Sequence, residues 1–136
     1  DVSQKNKLSQ NKQAKARKKP ERVEGTISCE LPKILVDEND IHITSKRNFD
    51  CFQDTELDML LKRTLNIKNI IICGVNTDTC VYGTTFGASN RGYNPIVIEC
   101  CTGSMRGDEQ HEVALKIMSQ SIAWVMKKEE ILNKLN

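Results

Sequence analysis

The feature that most constrains this chain is the stretch IIICGVNTDTCVYGTTFGASNRGY, running from Ile70 to Tyr93. Ile70, Ile71 and Ile72 follow one another without a polar residue between them. The strand they predict is therefore apolar on both faces. Such a strand belongs inside a parallel sheet, since a half-solvated antiparallel strand alternates apolar with polar side chains. The run stops at Gly74, a polar loop Asn76-Thr77-Asp78-Thr79 follows, and a helix is expected over roughly 79–90 with Cys80 at its start. Arg91-Gly92-Tyr93 closes that helix, with glycine at its C-terminal cap.

The remaining segments fit round this one. Ile41-His42-Ile43-Thr44 alternates and is β-branched, which predicts a strand. A loop over 45–53 carries Lys46, Arg47, Phe49 and Phe52. Thr55-Glu56-Leu57-Asp58 resembles a capping box, with Asp in place of the usual Glu or Gln. It opens a helix with Leu57, Leu60, Leu61 and Leu65 on one face, broken at Asn66. Strands are expected over 69–73, 95–100 and 121–126, the last placing Trp124 in the core. Helices are expected over 109–120 and 128–135, and 31–36 reads as a short helix or an extended piece. The alternation predicts an α/β fold: a doubly wound parallel sheet with helices on both faces. In such sheets functional groups gather at the carboxyl ends of the strands. Lys46 lies just past one expected strand end and Cys80 just past the next.

With 136 residues the chain is sized for one domain. Its net charge of +2 makes no case for a nucleic-acid or membrane partner, but the charges are unevenly placed. Lys5, Lys7, Lys12, Lys15, Arg17, Lys18, Lys19 and Arg22 crowd the start. Residues 1–19 read as a flexible, solvated segment. No aromatic residue interleaves with the lysines, so base stacking has no platform. No stretch of 18 apolar residues predicts a membrane span. No apolar run follows the basic start as in a secretory leader, and a cytoplasmic location is expected. The six cysteines form no CxxC pair, which argues against a structural zinc site. Reduced thiols fit best, with Cys73 and Cys100 inside apolar runs as buried small hydrophobes.

Two readings stand for Cys80 and Lys46. At a helix N-terminus the unpaired N–H groups and the helix dipole favour a thiolate, and a nearby ammonium favours it further. A thiolate so placed is a nucleophile for acyl transfer, and the same N–H groups can hold an oxyanion. The other reading is a packed cysteine and a surface lysine lying along its alkyl stem.

The segment ITSKRNFDCFQDTELDMLLKRTLNIKNIIICGVNTDTCVYGTTFGASNRGY resembles the isochorismatase-like cysteine hydrolases. These are relatives of carbamoylsarcosine amidase, ureidoacrylate amidohydrolase and nicotinamidase. A lysine, phenylalanines, Thr-x-Leu and an apolar strand leading into Gly-Val-x-Thr-Asp-x-Cys-Val carry the likeness. RVEGTISCEL, PIVIECCTGS and the helix with HEVAL extend it to roughly 20–132. The resemblance implies a three-layer α/β/α fold and a Cys-Lys-Asp triad, with Cys80 as nucleophile and Lys46 as the group that polarises it. It implies a non-proline cis peptide at Val75-Asn76, aiming the Asn76 N–H, with that of Cys80, at an oxyanion. Thr77 and Asp78 shape this loop or cap it.

Relatives open with a strand ending in the catalytic aspartate, a pattern with no counterpart here. Residues 20–136 are therefore expected to be the C-terminal portion of such a domain, lacking its first strands. The metal-binding nicotinamidase branch sets Asp-His-His ahead of the lysine. Only His42 stands there in this chain, so no metal and no other cofactor is expected. Phe49 and Phe52 either wall a substrate pocket or anchor their loop. His111 reads as a surface cap of a helix start, and Glu24 and Thr26 as structural. The implied activity is hydrolysis of C–N bonds in small amides, ureides or carbamoyl compounds through an acyl-enzyme. The partners expected are a small-molecule substrate and further copies of the chain. The competing reading is a non-catalytic scaffold or assembly subunit with a degenerate fold of this family.

Overall fold

The computed structural model describes residue 27 and residues 30–135. The basic segment 1–19, and Glu24 and Thr26, lie outside them. The chain divides into two compact units, Asp1–Ile41 and His42–Asn136. In the first, Lys33–Leu35 forms a single 3₁₀ turn. The Asp37 carboxylate accepts the Asn39 N–H at 2.9 Å. That contact, with the Asn39 side-chain amide, holds the Asp37 carboxyl below the usual carboxylate range.

The second unit is built on a parallel sheet of β1 (Asn69–Val75), β2 (Asn94–Gly103) and β3 (Trp124–Met126), in the order β1-β2-β3. Ile71 faces Ile96, and Val97 faces Val125. Helix α1 (Leu57–Met59) runs into a π-helical turn, Leu60–Thr64, before β1. A second π-turn, Thr77–Val81, feeds α2 (Tyr82–Asn90) between β1 and β2. Helix α3 (Asp108–Ser121) joins β2 to β3, and α4 (Lys128–Leu135) follows β3. None of the helices among the described residues is long and apolar enough to cross a membrane.

Side-chain alternation explains how the core closes. Ile70 and Ile72 turn to the helical side of β1, while Ile71, Cys73 and Val75 turn away from it. Ile72 packs against both buried clusters. One is Val81, Val97, Ala114, Leu115 and Met118. The other is Phe52, Ala88 and Tyr93. Met118 is fully buried on α3, and burial of such a side chain is worth about 1.5–3 kcal/mol. Helix α2 ends in a Schellman arrangement: the Tyr93 N–H reaches the Ala88 carbonyl and the Gly92 N–H that of Ser89. Gly92 takes φ +82° to allow it.

Several local expectations give way. Ile41–Thr44 forms no strand. Strand propensity needs a ladder partner to be realised, and among the described residues none pairs with this segment. Helix α3 runs on to Ser121, so β3 begins only at Trp124. Trp124 is 70% exposed rather than in the core, because it projects from the outer strand of the sheet. Cys73 and Cys100 are exposed rather than buried. No side-chain capping box opens α1. The Thr55 hydroxyl accepts the Leu57 N–H at 3.4 Å and donates to the Cys51 carbonyl, while Asp58 accepts the Tyr93 hydroxyl at 2.9 Å.

Candidate active site

The carboxyl ends of β1 and β2 carry the candidate residues. Near the carboxyl end of β1, Gly74 takes φ +125°, a conformation that L side chains rarely adopt. The Val75–Asn76 peptide is cis. Asn76 then caps the helix with extended backbone, and its carbonyl accepts the N–H groups of Thr79 at 3.2 Å and Val81 at 3.0 Å. Cys80 sits in this turn, half-buried, with a free thiol.

Three struts hold the turn from the β2 side. The Met105 N–H donates to Asn76 Oδ1 at 2.9 Å. The Ser104 hydroxyl donates to Asp78 at 2.7 Å, and the Arg106 guanidinium pairs with the same carboxylate. Burial pushes the Asp78 carboxyl up, but the Ser104 hydroxyl, the backbone N–H and Arg106 outweigh it, so the net shift is downward. Thr77 is fully buried, and its hydroxyl lies 2.8 Å from His111 Nδ1 in the first turn of α3. His111 is thus no plain surface cap. It reaches under the loop that leads to Cys80, and its position at a helix start was the only sequence signal of it.

The Lys46 loop approaches from α2. Lys46 is half-buried and donates from Nζ to the Asn48 carbonyl at 2.7 Å. No hydrogen bond among the described residues joins it to Cys80. The loop itself is fastened to the helix that Cys80 begins. Thr84 Oγ1 accepts the Cys51 N–H at 3.1 Å and donates to the Phe49 carbonyl at 3.3 Å. Gly83 lets the loop backbone come close, since a Cβ there would meet the Phe49 carbonyl carbon at 3.4 Å. At Gly87 a Cβ would overlap the Asp50 carboxylate, 2.6 Å from its Cγ. Asp50 pairs with Arg91 at 3.2 Å, and Arg91 also donates to the Gly87 carbonyl at 2.9 Å.

Phe52 is buried and stacks on Tyr93, with ring centroids 5.4 Å apart and the Arg91 guanidinium over its face. It anchors the loop. Phe49 is 58% exposed on the same loop. The glycine pair at i, i+4 in GTTFG, which the sequence reading passed over, is the local signal that could have shown close approach to the helix. Nothing local names its partner, Asp50.

A cleft of about 340 Å³ lies between α2 and α3, lined by Asp78, Tyr82, Glu109, Gln110, Val113 and Ile117 among others. It touches the candidate site through Asp78. Among the described residues no group of three His, Cys, Asp or Glu side chains is arranged to hold a metal ion.

Comparison with known proteins places this arrangement. The family model described as Isochorismatase domain matches residues 2–130. The isochorismatase family protein YwoC of Bacillus subtilis (strain 168) is 32% identical over 105 residues, covering 77% of this chain and 54% of that protein. The chain spans about half the length of the curated relatives it matches. An isochorismatase-like hydrolase from Alkaliphilus metalliredigens superposes with a TM-score of 0.79 at 28% identity, over 90% of this chain and 65% of that one. The nicotinamidase PncA of Bacillus subtilis superposes at 0.70 with 28% identity, over 79% and 62%. The parallel sheet, the helix that Cys80 begins and these matches together make the chain a member of the isochorismatase family.

Proposed function

We propose that the protein hydrolyses C–N bonds of small amides, ureides or carbamoyl compounds, with Cys80 as nucleophile. The observation that carries this is the placement of Cys80: a half-buried free thiol in the turn that joins the carboxyl end of β1 to α2. Nicotinamidases among the structural neighbours support amide chemistry.

In this reading the Cys80 thiolate attacks the carbonyl carbon, and the backbone N–H groups of Asn76 and Cys80 receive the developing oxyanion. The C–N bond breaks and the nitrogen leaves with a proton. Water then attacks the thioester, releasing the carboxylic or carbamic acid and restoring the thiol. Lys46 lowers the cost of forming the thiolate from a loop fastened to the same helix. A carboxylate from outside the described residues carries the proton.

The test is ammonia release from nicotinamide and a panel of ureido and carbamoyl compounds. Cys80→Ala should remove turnover while circular dichroism stays unchanged. Lys46→Ala should slow acylation by about 10²–10³-fold, the usual worth of one group that stabilises charge in an active site. It should also slow iodoacetamide alkylation of Cys80 at neutral pH. Undiminished turnover by Cys80→Ala would remove the nucleophile assignment. A sluggish thiol whose alkylation rate ignores Lys46 would favour the scaffold reading.

A further inference from the structure

Three cysteines that the proposed chemistry does not use meet on the sheet. The β1–β2 register pairs Ile72 with Val97 but Gly74 with Thr102. One residue of β1, Cys73, therefore stands against the four residues 98–101 of β2. This is a bulge of the kind that re-aims side chains. On a regular strand Cys100 and Cys101 would project to opposite faces. Here their Sγ atoms are only 4.0 Å apart. Cys73 faces this stretch from β1, inside the same irregularity of register. All three are exposed and free. Beside Cys100 opens a cleft of about 370 Å³ lined by Glu99, Thr102, His111, Lys127 and Glu129 among others. A small molecule in this cleft meets Cys100, which lines it.

We propose that Cys100 and Cys101, with Cys73 facing them from β1, form a multithiol site for trivalent arsenicals, separate from Cys80. The reaction is a condensation. An arsenoxide, R–As=O, takes up two thiols, two As–S bonds form, and the arsenic–oxygen bond breaks. The oxygen leaves as water with both thiol protons. Nothing is oxidised or reduced, and no co-reactant is needed. The protonation of Cys73 and Cys100 suits it. Burial pushes the Cys73 thiol up, and the Cys101 and Cys100 thiols add to the effect. Burial raises Cys100 too, followed by the Cys101 thiol and Glu129. Protonated thiols are poor targets for alkylation, which needs the thiolate. They are what the condensation consumes.

Phenylarsine oxide on the reduced 136-residue chain tests this by intact-mass spectrometry. One phenylarsenic adduct should survive excess 2-mercaptoethanol and be removed by 2,3-dimercaptopropanol. Cys101→Ala should weaken retention by about a hundredfold or more, because the second thiol then no longer acts at intramolecular concentration. Cys80→Ser and Cys51→Ser should retain the adduct unchanged. Peptide mapping of the wild-type adduct gives a readout independent of how the variants fold: the arsenic should lie on peptides containing Cys73, Cys100 or Cys101. An adduct mapping to Cys80 or Cys51, displacement by the monothiol, or full retention in Cys101→Ala would each overturn the proposal.

Discussion

Tyr93 and Asp78 show how single side chains set the acid and alkaline limits of this fold. The Tyr93 ring is buried, and its hydroxyl donates to Asp58 Oδ1 at 2.9 Å. Burial, and then the Asp58 carboxylate, push its pKa from 10.0 up to about 12. A group whose folded pKa is raised contributes stability that is complete below its unfolded value and is lost as pH rises through the folded one. Stability from Tyr93 should therefore hold to about pH 10 and fall away towards pH 12. Urea unfolding across that window should show the loss, and Tyr93→Phe should flatten it. Asp78 has the opposite sign. Its folded pKa lies below 3.8, so its contribution is present above that pH and disappears as acid protonates the folded carboxylate. In Asp78→Asn, denaturation curves at neutral pH and near pH 3 should differ less than in the wild type. An unchanged acid limb would show that Ser104 and Arg106 do not hold this carboxylate in solution.

The loop over 46–55 and helix α2 behave as one piece, and the helical glycines are the reason. Glycine to alanine in a helix ordinarily gains about 1 kcal/mol. At Gly87 the added carbon would overlap the Asp50 carboxylate. The sign should therefore reverse, with Gly87→Ala costing about 1–3 kcal/mol as overpacking does. Removing the obstacle should restore the ordinary gain, so Gly87→Ala combined with Asp50→Ala is expected to be strongly non-additive in chemical denaturation. If the two changes simply add, the loop does not rest on the helix at that point. The glycine pair of GTTFG carries a local signal of that close approach, which the sequence reading passed over. It does not announce the partner, because Asp50 and Arg91 are 41 positions apart and nothing local links them.

At the scale of the molecule, the outward face of β1 is the conspicuous surface. Ile71 is 49% and Val75 62% exposed, and among the described residues β1 is paired only with β2. An apolar strand with an unpaired edge is a template for association. The 136-residue chain should therefore scatter light as an oligomer. Charged substitutions at the exposed positions, Ile71→Lys or Val75→Lys, should shift it towards smaller species. Monodisperse monomer in the wild type would show that this edge is protected.

What the sequence determined by itself is what repeats locally. Three consecutive isoleucines demanded a strand in a parallel sheet. The spacing from Gly74 to Cys80 put the cysteine at the start of a helix, and Gly92 stopped that helix. These follow from backbone preferences and side-chain period, which act over a few residues. Tertiary structure decided whatever depended on a distant neighbour. Ile41–Thr44 has strand propensity but no ladder partner among the described residues, so it stays irregular. Cys73 and Cys100 sit in apolar runs yet face solvent, because exposure depends on what covers a face and not on the run itself. The Thr77–His111 contact joins residues 34 apart. It exists because a crossover helix returns its first turn beneath the end of a strand, a meeting that only the packed sheet brings about.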